Sequence, residues 1–388
     1  MAKKKKIRVE LRKNRSKPPR EKGWTRQFQA GSTESDDHVE RERVIAKGEL
    51  SRKRTIIAEE REDGVAAEAK AIDLLAVDLT HCRPGRVLRV HGHRHVVVQT
   101  DAGEIVHCAV RRRLRNLVVD ETNVVVTGDR VWYRPDGDDH GFIDKVEPRR
   151  GVLTRQSFGG KEQILAANVD QIIVVASLAE PALKPHLIDR YLGCAERAGI
   201  RPIVCLNKAD LVNPAAFQSV VGLYSQLGIC TIMASTKTGR GVEELREVTR
   251  NCESVFAGQS GVGKSSLLNA MQPGLGLRVG EVSEVNQKGK HTTTAAQLMR
   301  LDWGGWVVDT PGVRQFDLTG VDKAELDGLF REFRPHVACC RFPGCSHTHE
   351  SGCGVKAALD RGWIATQRYE SYLELYEDRK ATKPEYRD

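Results

Sequence analysis

The chain has 388 residues, carries 61 Lys and Arg against 52 Asp and Glu for a net charge of +9, and is 40% hydrophobic. That length accommodates two or three domains with a substantial core. No apolar run approaches the ~20 residues of a membrane span, and no apolar segment of signal-peptide type follows the lysine-rich start. These features predict a cytoplasmic protein in which the ten cysteines do not form a disulfide framework.

Most of the net charge sits in residues 1–26, where Lys3 to Lys6, Arg8, Arg12, Lys13, Arg15, Lys17, Arg20, Lys22 and Arg26 are opposed only by Glu10 and Glu21. Residues 1–80 are polar, charged and poor in aromatics, and read as a basic, largely disordered extension with a helical piece over Glu59–Leu75. Such a tail either neutralises nucleic-acid phosphates in a salt-sensitive way or serves as a solvated extension.

From Pro84 the texture changes. Runs at Arg86–Val90, His95–Gln99, Glu104–Val110, Asp129–Tyr133 and Gly141–Ile143, punctuated by Gly92, Gly103 and Gly137, predict short strands. Five such strands suit a small β-barrel of OB-fold type over residues 81–155. Arg111, Arg112, Arg113 and Arg115 follow the third strand. They read either as a nucleic-acid face or as a charged edge that blocks strand pairing. Over residues 166–320, strands at Asp170–Ala176, Pro202–Leu206, Cys230–Ala234 and Cys252–Ala257 alternate with helical stretches such as His186–Ala198. That alternation predicts a parallel sheet covered by helices on both faces. Residues 321–388 read as a small α-helical domain around a cysteine cluster, closed by a charged helix near Trp363–Lys380.

Gly258, Gln259, Ser260, Gly261, Val262, Gly263, Lys264 and Ser265 follow a strand and open a helix that continues with Ser266. This context makes the run a phosphate-binding loop. Its glycines let backbone N–H groups turn onto phosphate oxygens, and the helix N-terminus adds a positive dipole. Lys264 is expected to reach the β- and γ-phosphates, and the Ser265 hydroxyl to ligate Mg²⁺. Asn207, Lys208, Ala209 and Asp210 close an earlier strand. A carboxylate at Asp210 accepts from both N1–H and the amino group of guanine, which adenine cannot offer in that geometry. Ser235 and Lys237, after a later strand, fit a loop that backs the base. Asp309 is expected to bind Mg²⁺ through water, and Gly312 to sense the γ-phosphate. In Gly289–Thr294, Thr293, with Thr292 as second choice, offers a Mg²⁺ ligand in a loop ordered by the γ-phosphate.

Two features depart from a Ras-like enzyme. The base signature precedes the phosphate loop, which is a circular permutation of the usual order. The position of the water-orienting glutamine holds Val313, which cannot orient water. His291 is the nearest polar candidate for that role, its alternative being support of the loop. Separately, Cys340, Cys345, His347 and Cys353 supply three thiolates and an imidazole in a short stretch, with Cys339 and His349 as alternates. Such a set suits one structural, tetrahedral Zn²⁺.

In this order, these motifs resemble the circularly permuted ribosome-assembly GTPases of the RsgA (YjeQ) family. The likeness runs from about residue 84 to 370 and includes Leu187–Leu192. It selects Cys340 and His347 over Cys339 and His349. It implies an OB-fold, a permuted GTPase domain and a C-terminal zinc domain. It further implies a GTP-to-GDP cycle stimulated by the small ribosomal subunit, contact with that subunit's rRNA, and assistance to its late maturation. A monomer with no membrane partner is expected. The competing expectation, prompted by Val313, is a non-catalytic, GTP-dependent RNA-binding switch.

Overall fold

The computed structural model describes residues 4–10, 53–59, 79–91, 95–112, 114, 124–156, 162–277, 296–309 and 325–381. The chain divides into two compact units, one formed by residues 1–78 with 111–120 and the other by the remainder.

In the first unit, β1 (Lys4–Glu10) pairs antiparallel with β2 (Lys53–Glu59), with Ile7 opposite Ile56. These two segments lie within the extension expected to be largely disordered. Ile7, Val9, Thr55, Ile56 and Ile57 give them the β-branched content that a ladder favours. The helix expected over Glu59–Leu75 begins on the last residue of β2, and the rest of it lies outside the described residues.

The second unit opens with a five-stranded barrel of β3 (Arg83–His91), β4 (His95–Thr100), β5 (Ile105–Val110), β6 (Arg130–Pro135) and β7 (His140–Val146). The strands run in the order β3-β4-β5-β7-β6, and β6 returns to pair with β3. Only β5 and β7 pair in parallel. This closed five-stranded arrangement matches the OB-type barrel expected. Alternation along the strands buries Val96, Val98, Val106, Cys108, Val131, Tyr133 and Ile143. Arg113 and Arg115 lie outside the described residues. A hairpin of β8 (Leu153–Gln156) and β9 (Glu162–Ala166), not anticipated from the sequence, follows the barrel.

The α/β part contains β10 (Gln171–Ser177), α1 (Pro185–Ala198), β11 (Arg201–Asn207), α2 (Gln218–Gln226), β12 (Cys230–Met233), α3 (Val242–Thr249), β13 (Glu253–Ala257) and α4 (Lys264–Met271). It closes with β14 (Gln297–Arg300) and β15 (Trp306–Asp309). The order is β12-β11-β10-β13-β15-β14, parallel except for β14. One core cluster holds Ile172, Val174, Val204 and Leu206 with Ile188 and Tyr191, and another holds Ile173, Val175, Ile203 and Cys205 with Leu245 and Leu267. The alternation of β10 and β11 between two helical layers explains why their apolar runs are nearly continuous. Each fully buried large apolar side chain contributes about 1.5–3 kcal/mol.

The C-terminal part has α5 (Arg334–Val337), α6 (Gly354–Asp360) and α7 (Thr366–Ala381). Its core is aromatic: Phe333 lies 5.1 Å from Phe330 and 5.0 Å from Tyr372, ring centre to ring centre. No helix among the described residues is long and apolar enough to cross a membrane.

Candidate nucleotide site and metal centre

Because β10, β11, β13 and β15 are parallel, Ser177, Asn207, Ala257 and Asp309 end on one edge of the sheet. β10 and β13 are neighbours whose following helices lead to strands on opposite sides, so the phosphate loop lies at the switch in strand order. Gly258 has φ +142°, and a Cβ there would lie 2.1 Å from the Val175 carbonyl oxygen. Gly263 has φ +95° and caps α4 with no side-chain hydrogen bond. The first N–H groups of α4 thus receive no side-chain cap. A Cβ on Gly263 would lie 2.4 Å from Asn207 Nδ2, so only glycine lets the two loops approach this closely. Lys264 Nζ donates to the carbonyls of Gly258 at 2.8 Å and Gln259 at 2.9 Å, which holds the ammonium across its own loop. Ser265 and Ser266 occupy the first turn of α4, half-buried.

Asn207 is 2% exposed, and its Nδ2 donates to the Val262 carbonyl at 2.8 Å. Its Oδ1 is buried with no hydrogen-bond partner among the described residues. Lys208 adopts φ +61°, and its ammonium donates to the Glu180 carbonyl. The Ala209 N–H donates to the Ala234 carbonyl at 3.0 Å, which ties the Asp210 loop to the Ser235 loop. Ser235 Oγ donates to Asp210 Oδ1 at 2.6 Å, and Lys237 Nζ lies 3.9 Å from Asp210 Oδ2. The serine hydrogen bond above all, then Lys237 and Lys208, hold the Asp210 carboxyl below its usual range. An ionised carboxylate is a pure acceptor, as recognition of N–H groups on guanine requires. Motifs far apart in sequence are thus brought to one edge, with a buried acceptor and a glycine cradle that fit a nucleotide.

Val308 of β15 pairs with Val255 of β13, which brings the Asp309 backbone beside the phosphate-loop strand. His291, Thr292, Thr293, Gly312 and Val313 lie outside the described residues. The sequence reading missed a contact of Tyr191. Burial pushes its phenol up to about 12, opposed in part by the Gly258 backbone. Leu187, Ile188 and Tyr191 line a cavity with Gly258, Gln259 and Val262. The signals in the sequence were the family likeness over Leu187–Leu192 and the helical spacing of Leu187 and Tyr191, which places them on one face.

In the C-terminal part, the ligand atoms of Cys340, Cys345, His347 and Cys353 lie within 4.8 Å of one another. Cys340 Sγ is 3.9 Å from Cys353 Sγ, and His347 Nδ1 is 3.5 Å from Cys340 Sγ and 3.4 Å from Cys353 Sγ. A tetrahedral Zn²⁺ with ordinary Zn–S and Zn–N bonds sets these edges at about 3.8 and 3.5 Å. The donor set therefore fits such an ion and leaves no position open for a catalytic water. Cys339 is exposed and outside the cluster, and His349 Nδ1 meets Thr348 Oγ1 instead. Asp327 was not singled out from the sequence. Its Oδ2 lies 3.4 Å from His347 Nε2 and orients the ring so that Nδ1 faces the sulfurs. N–H groups of Gly354 and Lys356 donate to Cys340 Sγ and Cys353 Sγ at 3.3 and 3.4 Å. Tyr369 and Tyr372 of α7 donate to the carbonyls of His347 at 2.7 Å and Ser346 at 2.8 Å.

The RsgA GTPase family model matches residues 146–319. A curated relative, the small ribosomal subunit biogenesis GTPase RsgA of Azotobacter vinelandii, is 40% identical over 355 residues, covering 88% of this chain and 100% of its own. Among solved structures, YjeQ from Thermotoga maritima matches with TM-score 0.66 at 36% identity, covering 78% of this chain and 100% of that one. YloQ, described as a circularly permuted GTPase, matches with TM-score 0.62 at 28% identity, covering 80% and 99%. With its reversed motif order, closed barrel and full-length match to such relatives, this chain belongs to the RsgA family of GTPases.

Proposed function

We propose that this chain binds GTP at the shared edge of its sheet, hydrolyses it to GDP, and acts in the cytoplasm as a monomeric assembly factor for the small ribosomal subunit, in contact with that subunit's rRNA. The observation that carries the nucleotide assignment is the joining of the two motifs, with Asn207 Nδ2 donating to the Val262 carbonyl and Ser235 Oγ to Asp210 Oδ1. Asp210 reads the guanine edge, Asn207 and Lys208 support the base, and Ser235 and Lys237 hold Asp210 in place. The Gly258–Gly263 backbone and Lys264 bind the phosphates. Ser265, Thr293 and Asp309 would hold Mg²⁺, which supplies charge neutralisation at the β- and γ-oxygens. Gly312 senses the γ-phosphate, and His291 takes the water-orienting role for which Val313 is unsuited. Cys340, Cys345, His347 and Cys353 hold one structural Zn²⁺, and the domains follow residues 81–155, 166–320 and 321–388. The relatives' names as small ribosomal subunit biogenesis GTPases support the partner. Val313 favours a second reading, a nucleotide-dependent RNA-binding switch without useful turnover.

Multiple-turnover phosphate release with and without purified small subunits, on wild type and Asp210→Asn, tests the proposal. Stimulated GTP turnover is expected in wild type. The variant should shift preference towards xanthosine triphosphate, because an amide can donate to the oxygen that replaces guanine's amino group. Unstimulated wild-type turnover points to the switch, and unchanged guanine preference removes Asp210 from the base site.

A further inference from the structure

Helix α1 meets the phosphate loop on one face and the C-terminal domain on another. Residues two apart in a helix are separated by about 200° around its axis, so Asp189 and Tyr191 point in opposite directions. Tyr191 lines one cavity with Gly258, Gln259 and Val262 of the loop, and the Gly258 carbonyl accepts from Lys264 Nζ at 2.8 Å. A displacement of Gly258 therefore moves both the loop backbone and the lysine.

On the opposite side, Asp189 Oδ1 lies 2.7 Å from an Arg368 guanidinium nitrogen on α7 and accepts from the Tyr224 hydroxyl at 3.0 Å. Arg368 in turn meets Glu332 at 2.6 Å. Glu196 lies two turns beyond Asp189 on the same stripe and meets Arg331 and Arg334, each at 2.6 Å. Between them, Arg190 pairs with Asp378. The Asp189 and Arg368 side chains are 0% and 4% exposed, so this grip is held in a low-dielectric setting where it resists sliding. Half-buried Cys194 also packs against the C-terminal core.

We infer that Tyr191 is a positioning residue for the phosphate loop, and that α1 is the rigid element through which the docking of the C-terminal domain sets how tightly the loop holds its nucleotide. The inference rests on the guanine-nucleotide reading of the site. It assigns a regulatory route distinct from the γ-phosphate-sensing segments.

The test measures release of a fluorescent GDP analogue by stopped flow on the full chain. Tyr191→Phe keeps the ring and removes the hydroxyl, and Glu196→Gln weakens the C-terminal grip at a site in no contact with the loop. Loss of the hydroxyl's polar contact with the loop, of the size of one net hydrogen bond, predicts release about 2- to 10-fold faster for Tyr191→Phe. Glu196→Gln should also accelerate release. Because both act on one link, the double variant should fall well short of the product of the two effects. Unchanged release in Tyr191→Phe, or a double variant that equals that product, overturns the inference. A purely packing role for α1 would leave Glu196→Gln without effect on release. Absence of subunit-stimulated turnover would remove the ribosomal reading and leave this one standing, whereas a wild-type chain that holds no GDP analogue removes both.

Discussion

The barrel reaches the α/β sheet largely through backbone, with a few side-chain contacts added. β14 pairs with β15 on one side and meets β3 through Gln297 and Arg89 on the other, and Thr127 Oγ1 donates to the Ala296 carbonyl at 2.9 Å. Glu253 reinforces the junction by pairing with Arg86 at 2.7 Å and with Arg130 at 3.9 Å. The C-terminal domain reaches the same α/β unit through side chains, by way of Asp189, Arg190 and Glu196 on α1. A ladder of peptide groups tolerates substitution, because every residue but proline offers the same donor and acceptor. A buried ion-pair network is specific and fails when one partner is lost. The junction beside Ala296 is therefore built for permanence, and the one on α1 for selectivity.

Three experiments test this contrast. Metal removal should have the largest effect, because binding free energy of structural Zn²⁺ is on the order of 10 kcal/mol and is folding free energy for the segment that holds it. Tyr369 and Tyr372 anchor α7 to the ligand loop, so chelation or Cys345→Ser should release α7 from α1 while the barrel stays attached. Wild type should carry about one zinc per chain, which elemental analysis measures. Limited proteolysis should then cut the chelated chain selectively beyond residue 325, and uniform cleavage would contradict the contrast.

Arg368→Met comes next. It leaves Asp189 and Glu332 without their cation, and loss of one partner from a buried pair costs about 3–5 kcal/mol. Denaturant unfolding should show that loss, with the C-terminal part unfolding first. A loss below about 1 kcal/mol would place the pair in the class of exposed salt bridges.

Glu253 yields the smallest effect and probes the barrel side. Burial, opposed by Arg86, pushes its carboxyl up to about 7. A folded-state value above the unfolded one means that the native state binds the proton more tightly. The stability this contributes is fully present below about pH 4.3 and is lost as pH rises through 7. Glu253→Gln should flatten the decline in stability between pH 5 and 8 by roughly 2–3 kcal/mol, read from denaturation midpoints across that range. An unchanged slope would mean that the Arg86 pair keeps the carboxylate ionised throughout.

Much of the site was legible because its chemistry is local. Gly258 to Ser265 and Asn207 to Asp210 each form a recognisable motif within a few residues, and the strands before them read as apolar runs. The candidate cluster of Cys340, Cys345, His347 and Cys353 was legible from its short spacing, with the family resemblance choosing Cys340 and His347 over Cys339 and His349. β14 was not, because Gln297–Arg300 shows no strong alternation and becomes a strand only between β15 and β3. The β8–β9 hairpin and the β1–β2 ladder were missed because short, charged strands carry little hydrophobic pattern of their own.

The permuted motif order, the GTPase signatures and the candidate metal-ligand cluster are written in residue identity at short spacing, which is why they could be read along the chain. Folding alone brought Asp327 to His347, Asp189 to Arg368, and Tyr191 to the cavity it shares with Gly258. Those contacts join residues on different elements, and their partners are selected by packing and burial rather than by spacing along the chain.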